Sequence, residues 1–282
     1  MPVQTADEYG KQLAIKGFGV ALEEKIPKAI KTLQYYEDQA LQLDPDMGYF
    51  LGFSGGKDSI VIKDLAARAG VKHQCFYSCT TIDPPELVHF IKEHHADVEW
   101  LRQPHSFFHT LATRKGIPTR RIRWCCEIYK EQGGAGKVKV LGIRAAESAR
   151  RANNWRIFTP WRKDNSFCCN PILYWTDDDV WEYIRSRNLP YCKLYDEGFT
   201  RLGCVGCPMG RQQRAQQFER WPGYRDAWLR AITKYWETHK DKLNRGGKPY
   251  TISRFSTAKE AWDWWLSDGP VETEEECTMG LF

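Results

Sequence analysis

The stretch GYFLGFSGGKDSIVIKDLAARAG, residues 48–70, decides the fold class of this protein. Its apolar beginning predicts a buried strand, and its second half carries apolar residues at helical spacing up to Gly70, a candidate C-cap. Between the two lies SGGKDS, residues 54–59. Gly55 and Gly56 allow positive φ angles and a close approach of main-chain N–H groups to a ligand. Because a helix N-terminus also favours anions, the junction predicts a phosphate-binding turn.

The side chains of this turn fit the same chemistry. Lys57 is expected to reach a phosphate oxygen, and the hydroxyls of Ser54 and Ser59 to donate hydrogen bonds. Asp58 is expected to orient the loop or to help hold Mg²⁺. The spacing is not the Walker pattern. The alternative is a tight turn with an ordinary helix cap.

Predicted strands and helices alternate on both sides of the turn. Further strands are predicted over 73–80, 98–103 and 137–145, and helices over 84–96, 106–116 and 176–188, the last with Thr176 as N-cap. The alternation predicts right-handed β-α-β units. We therefore expect an α/β fold, a Rossmann-like parallel sheet with helices on both faces, plus a helical C-terminal extension.

The length of 282 residues suits one large domain with a smaller addition. We predict an N-terminal helical segment over 1–44, a nucleotide-binding domain over 45–208, and a helical extension with an acidic tail over 209–282. The segment 211–265 interleaves Arg and Trp, a pattern that either binds nucleic acid or forms a helical cap with buried tryptophans.

Composition limits the class of protein. No run of 18 apolar residues predicts a membrane span, and the N-terminus lacks a signal-peptide core, so we expect a cytoplasmic protein. In that compartment the ten cysteines favour metal binding or redox chemistry over disulfides. The net charge of +5 permits an anionic partner without requiring one.

Two cysteine pairs form a candidate metal site. Cys125 and Cys126 are adjacent, and Cys204 and Cys207 form a Cys-x-x-Cys. Together they offer four thiolates, which suit an iron–sulfur cluster or zinc. Cys168, in another adjacent pair, could replace a member of the first pair.

Several polar residues follow predicted strands, where open α/β sheets bind their ligands. Arg144 is expected to bind an anion, with Glu147, Ser148 and Arg151 just beyond it. Asp83 follows the second strand and is expected to meet the ribose, the base or a metal ion.

SGGKDS resembles the PP-loop of the ATP pyrophosphatases, which have the adenine nucleotide alpha-hydrolase-like fold. TTIDPPEL (80–87), LGIRAAESARRA (141–152) and the segment 170–208 are similar to parts of the phosphoadenosine phosphosulfate (PAPS) reductase family. The resemblance covers roughly 45–210. It implies an adenine nucleotide, ATP or PAPS/APS, as ligand. Adenylyl-sulfate reductases of this family hold a [4Fe–4S] cluster with a Cys-Cys pair and a later Cys-x-x-Cys, so the resemblance favours that cluster, with zinc as the alternative.

The resemblance leaves three functions open. The intact SGGKDS is similar to the ATP-cleaving members, which adenylate an acceptor for sulfur transfer, as in tRNA thiolation or DNA phosphorothioation, and which need a sulfur donor such as a cysteine desulfurase. A reductase would instead release sulfite through a C-terminal cysteine, here Cys277, with a thioredoxin-like reductant. The third function is a non-catalytic nucleotide-binding subunit. The acceptor and the oligomeric state are not predicted.

Overall fold

The computed structural model describes residues 20–244 and 246–267. These residues form two compact units. The first contains 20–78, Pro85–Leu101 and Gly133–Leu202, and the second contains Cys79–Pro84, Arg102–Gln132 and 203–267. Within the described ranges, no helix is both long enough and apolar enough to cross a membrane.

A six-stranded sheet organises the first unit. Its strands are β1 (Tyr49–Gly52), β2 (His73–Cys79), β3 (Glu99–Arg102), β4 (Val138–Val140), β5 (Phe158–Trp161) and β6 (Ser166–Cys169). The spatial order is β3-β2-β1-β4-β6-β5. The β1–β2 and β1–β4 pairs are parallel, as the alternating pattern predicts, and the β4–β6 pair is parallel as well.

The structure contains one hairpin that the sequence does not predict. β5 and β6 form an antiparallel hairpin at the edge of the sheet, with Trp161 opposite Ser166. The turn between them uses Asn165 in a left-handed conformation, with φ at +56°. Both strands have four residues, which is too short for periodicity to separate them from loop.

Helices connect the parallel strands. The helices of the first unit are α1 (Leu22–Tyr35), α2 (Glu37–Leu43), α3 (Lys57–Ala69), α4 (Pro85–His94), α7 (Ala149–Asn154) and α8 (Asp177–Ser186). α3 packs against α1 and α8. Gly70 ends α3 in a left-handed conformation, and Thr176 begins α8 with a complete capping box, so both predicted caps are confirmed.

The strand order places a topological switch beside β1. From β1 the chain moves to β2 and β3 on one side, and then returns to place β4 on the other side. The loops that follow β1 and β4 therefore border the crevice where open α/β sheets bind ligands.

The second unit is mostly helical. Its helices are α5 (Phe107–Thr110), α6 (Trp124–Tyr129), α9 (Arg211–Arg220), α10 (Pro222–His239) and α11 (Ala258–Leu266), with a π-helical turn at Leu111–Lys115. Trp228 and Trp265 stack in its core with ring centroids 4.4 Å apart. Trp221 and Trp262 are also buried. These four tryptophans thus follow the buried-cap alternative of the sequence analysis.

Candidate functional site

The turn after β1 is shaped by its two glycines. Gly55 has φ at +72°, and a Cβ there would lie 2.8 Å from the side chains of Leu87 and Ile91. Gly56 is the N-cap of α3. Ser59 donates to the Gly56 carbonyl oxygen at 2.7 Å, and the Ser54 and Ser59 hydroxyl oxygens lie 3.3 Å apart. The turn is thus a closed main-chain loop that a side chain at Gly55 would disrupt.

Lys57 is held at the start of α3. Its side chain is buried, and its ammonium lies 3.2 Å from the Asp177 carboxylate and donates to the Thr200 carbonyl oxygen at 3.1 Å. Its main-chain N–H donates to the Tyr195 hydroxyl at 2.9 Å. Burial raises the pKa of Tyr195, so this hydroxyl stays neutral.

Arg144 joins the turn to the loop after β4. This buried guanidinium donates from Nε to Asp58 at 2.6 Å and from Nη2 to Asp177 at 2.8 Å. Gly142 lies beside the same pair, because a Cβ there would be 2.9 Å from the Asp58 Cβ. We call Lys57, Asp58, Arg144 and Asp177 the cation cradle.

The residues after Arg144 continue the network. Glu147 lies 3.9 Å from the Arg144 guanidinium and forms a close ion pair with Arg151. The Ser148 hydroxyl accepts from the Arg151 N–H at 3.2 Å and caps α7. Glu147 is thus linked to the cradle through Arg144, and Ser148 is the N-cap of α7.

Sequence reasoning missed three residues of this network. The local sequence pattern assigns no role to Asp177, Tyr195 or Thr200. The available signal was their place within the family-like segment 170–208. Asp177 is 58% exposed while it pairs with two buried cations, which makes it the most accessible member of the cradle.

A second arrangement lies within the other unit. Cys125, Cys126, Cys204 and Cys207 line one cavity together with Thr80, Ile82, Phe107, Tyr129, Lys130, Pro208 and Trp228. The two predicted cysteine pairs therefore meet. None of the four forms a disulfide.

Two cations beside this cysteine cavity favour the thiolate form of Cys126. A hydrogen bond from the Cys125 thiol lowers the pKa of Cys126, and the charges of Arg123 and Lys130 lower it further. The Arg123 guanidinium lies 3.3 Å from the Cys126 sulfur. Burial raises the pKa of Cys204 to about 12.

The donor set fits a tetrathiolate metal centre, because four sulfurs and a cation share one cavity. Among the described residues, no three or more His, Cys, Asp or Glu side chains already stand in a metal-binding arrangement. Zinc and an iron–sulfur cluster both accept four thiolates, so the donors do not separate them.

The other sequence candidates lie elsewhere. Cys168 is buried in β6, paired with Lys139 of β4, and does not line the cysteine cavity. Asp83 belongs to the second unit, where its carboxylate accepts from the Thr80 hydroxyl at 2.7 Å. Cys277 lies outside the described residues.

The fold and the cation cradle define an α/β protein with a glycine turn and two buried cations at a sheet switch point. Residues 48–209 match the family model of the phosphoadenosine phosphosulfate reductase domain, so the chain belongs to that family. The predicted family and fold class are thereby confirmed.

The chain is similar to several known proteins. An uncharacterized protein of Methanocaldococcus jannaschii is 30% identical over 229 residues, which are 76% of this chain and 45% of that protein. The chain therefore spans about half the length of this archaeal relative. The adenosine 5'-phosphosulfate reductase of Staphylococcus haemolyticus is 29% identical over 55% of this chain and 68% of that enzyme. Among solved structures, the phosphoadenylyl-sulfate reductase of Candida auris, a phosphate complex, has a TM-score of 0.49 at 14% identity, covering 73% of this chain and 98% of that chain.

Proposed function

We propose that this protein binds an adenine nucleotide at the cation cradle and cleaves ATP to AMP and pyrophosphate, adenylating an acceptor for sulfur transfer. The observation that carries the proposal is the pair of buried cations, Lys57 and Arg144, held by Asp177 beside a main-chain turn. Two fixed cations and a helix N-terminus match a polyphosphate better than a single phosphate.

The proposed chemistry is displacement at the α-phosphorus. An acceptor oxygen forms a bond to that phosphorus, and the bond to the β-phosphate oxygen breaks with pyrophosphate as leaving group. Lys57, Arg144 and the main-chain N–H groups of the turn stabilise the charge that develops on the leaving group. Mg²⁺ bound with the nucleotide would use the Asp58 carboxylate of the cradle.

The cysteine cavity supports the second part of the proposal. Cys125, Cys126, Cys204 and Cys207 would hold a [4Fe–4S] cluster or zinc, with Lys130 and Arg123 offsetting the charge of four thiolates. A cluster would supply a redox-capable centre, whereas zinc would only support the structure.

The test is the release of pyrophosphate from ATP and Mg²⁺ by protein purified without oxygen. With no acceptor added, water takes its place at the α-phosphorus and AMP is the second product. Lys57→Ala is expected to lower release by at least 100-fold. The matched control is Lys63→Ala on the same helix, whose ammonium pairs with Asp97 and lies outside the cradle. Lys63→Ala should release pyrophosphate at the wild-type rate.

Two outcomes would overturn the proposal. Release that persists in Lys57→Ala would mean that the turn does not carry the reaction. A complete lack of release, with tight ATP binding by the wild type, would instead support the non-catalytic nucleotide-binding subunit.

The second candidate is a sulfonucleotide reductase. The observation that favours it is the similarity to the staphylococcal adenosine 5'-phosphosulfate reductase. This candidate predicts sulfite release from APS or PAPS in the presence of a thioredoxin-like reductant, and its loss in Cys277→Ser. Sulfite release that depends on Cys277, with no cleavage of ATP, would replace the first proposal by this one.

A further inference from the structure

The second unit contains another cavity, which neither the cradle nor the cysteines form. Its space is about 750 Å³, including the part that opens to solvent. Aromatic and cationic side chains dominate its lining, chiefly Lys115, Arg121, Tyr235, Tyr250, Arg254 and Trp264. We call this the aromatic–cationic cavity.

The charge of this cavity is one-sided. No Asp or Glu lines it. Lys115, Arg121 and Arg254 have no carboxylate within ion-pair distance in the part of the chain that the structure describes. This differs from an ordinary solvated surface, where charges of both signs are interspersed. Three cations without an acidic partner favour an anionic ligand.

The positive charge continues beyond the cavity along both segments that form its walls. The segment 111–124 contains basic side chains and no acidic one, and the basic residues are Arg114, Lys115, Arg120, Arg121 and Arg123. The facing segment adds the exposed Lys242 and Lys248, whereas its Lys240 is paired with Asp241 at 3.6 Å. A ligand with a single phosphate would use few of these cations, whereas a strand with successive phosphates would use many.

Aromatic rings supply the second half of the recognition chemistry. The Arg254 guanidinium lies 4.5 Å from the Trp264 ring centroid and 4.7 Å from that of Phe255, so its planar face is packed on rings. Tyr250 is only half-buried and lines the cavity. An aromatic face beside cations is the arrangement on which nucleobases stack while their phosphates are neutralised.

The walls of the cavity are held in place before any ligand binds. Leu111–Lys115 form a π-helical turn, a rare element that often marks functional positions. Gly116 ends it with φ at +73°, and a Cβ there would lie 2.6 Å from the Tyr235 ring. The Trp265 indole donates to the Pro118 carbonyl oxygen at 3.0 Å on this wall. A fixed wall loses little entropy on binding.

The opposite wall is fixed in the same way. The Trp236 indole donates to the Phe255 carbonyl oxygen at 2.9 Å, and the Ser253 hydroxyl donates to the His239 carbonyl oxygen at 3.3 Å. These bonds hold Arg254, between Ser253 and Phe255, at the cavity.

From these contacts we propose that the aromatic–cationic cavity binds single-stranded nucleic acid, with a base stacked at Tyr250 and phosphates on Lys115, Arg121 and Arg254. As a binding site this inference is independent of the proposed function. The identity of the acceptor, in contrast, rests on the proposed function. If that function holds, the bound strand is the sulfur acceptor, and the acceptor is a nucleic acid.

The test is fluorescence anisotropy with a labelled 12-nucleotide oligo-dT and a matched strand that carries one abasic site, without ATP. Arg121→Ala with Arg254→Ala is expected to weaken binding about tenfold and to reduce the salt slope by roughly 1.4, since each of the two phosphate contacts contributes roughly 0.7. Tyr250→Leu is expected to weaken binding about fivefold without changing the slope. Arg225→Ala, an exposed arginine of α10 that pairs with Asp226, is the control and should bind as the wild type does.

Stacking and charge are separated by the abasic strand. If Tyr250 stacks on a base, Tyr250→Leu should weaken binding of the intact strand more than that of the abasic strand. Equal binding of oligo-dT and inorganic polyphosphate by the wild type would overturn the nucleic-acid assignment in favour of a plain polyanion surface. Binding that is unchanged in all cavity variants, with unaltered circular dichroism, would overturn the site itself. Lys57→Ala should still bind the strand, so a failure of the proposed ATP cleavage can be distinguished from a failure of strand binding.

Discussion

The cation cradle and the aromatic–cationic cavity both gather basic side chains, but they hold them differently. In the cradle, Lys57 and Arg144 are buried and share the carboxylate of Asp177. In the cavity, Arg121 is exposed and has no acidic partner among the described residues. Paired buried cations keep one geometry, which suits a reacting phosphate. Unpaired exposed cations bind by charge and respond to salt.

The largest effect is expected at the cysteine cavity. It tests whether metal binding in the second unit is independent of ATP binding in the first. Cys204→Ser with Cys207→Ser removes two of four sulfur donors, so metal content after anaerobic reconstitution should fall below about a tenth of the wild-type value. ATP binding at the cradle should change less than about twofold. Metal analysis by mass spectrometry and the visible absorption of the protein check the first outcome and also separate iron from zinc.

Cys168→Ser is the matched control for this experiment, because Cys168 is buried in β6 and does not line the cysteine cavity. It should keep the full metal content. Loss of metal in Cys168→Ser as well as in the double variant would show that Cys168 replaces a member of the Cys125–Cys126 pair, which is the alternative ligand set from the sequence.

The cradle should respond next most strongly to a change at Arg144. Arg144→Ala removes a buried guanidinium that contacts Asp58 and Asp177, so ATP affinity should fall about 100-fold. Arg144→Lys keeps the charge without the planar fork and should lose about tenfold. Calorimetric titration with a non-hydrolysable ATP analogue and Mg²⁺ measures both.

Arg187→Ala serves as the control for Arg144, since its half-exposed guanidinium pairs with Asp64 on the surface of the same unit. Equal loss of affinity in Arg187→Ala would indicate a general effect of positive charge. In that case the cradle would bind ATP by overall positive charge, as we expect the aromatic–cationic cavity to bind its ligand. The two regions would then not differ in how they bind anions.

Local signals in the sequence predicted the backbone of the cradle well. Gly70 and Thr176 end and begin their helices as expected, because a cap depends on its own few neighbours. The hydrogen bond from the Lys57 N–H to Tyr195 joins residues 138 positions apart, and no local pattern encodes such a separation. The β5–β6 hairpin was missed for a different reason, namely the short length of both strands.

The residues of the cation cradle differ in the same way in how far the sequence predicts their positions. Arg144 could be predicted because it follows a strand at the edge where α/β sheets bind ligands. Asp177 could not, since an acid in the first turn of a helix is common for dipole reasons alone. The aromatic–cationic cavity could not be predicted from the sequence either, because its walls come from segments near 115 and near 250 that only the fold brings together.

A smaller effect is expected at Asp177 and tests the shared carboxylate directly. Asp177→Asn removes a negative charge that competes with phosphate for Lys57 and Arg144, so ATP affinity should rise about fivefold at low salt. The same calorimetric titration, repeated at two salt concentrations, measures the change. A loss of affinity would mean that Asp177 positions the cations or holds Mg²⁺ more than it repels the nucleotide.

The smallest effect concerns the helix that carries Asp177. Asp179, two residues on, is buried and bonded to Lys25 at 2.6 Å and to the Thr176 N–H at 2.6 Å. Burial alone would raise the pKa of Asp179, but the hydrogen bonds from Lys25 and Thr176 lower it overall. Since the folded-state pKa lies below the unfolded value of about 3.9, this carboxylate stabilises the fold above that pH, and the contribution disappears as pH falls through the folded-state pKa.

Asp179→Asn keeps the cap and the size of the side chain but removes the charge, so the free energy of urea unfolding should fall by roughly 1 kcal/mol at pH 7. The difference from the wild type should be the same at pH 5 and should shrink below about pH 4. Lys28→Ala, which removes an exposed lysine of α1 near Glu24, should show no such dependence. A difference that grows on acidification would mean that the Lys25–Asp179 pair does not anchor α8, and that the cradle keeps its geometry by packing alone.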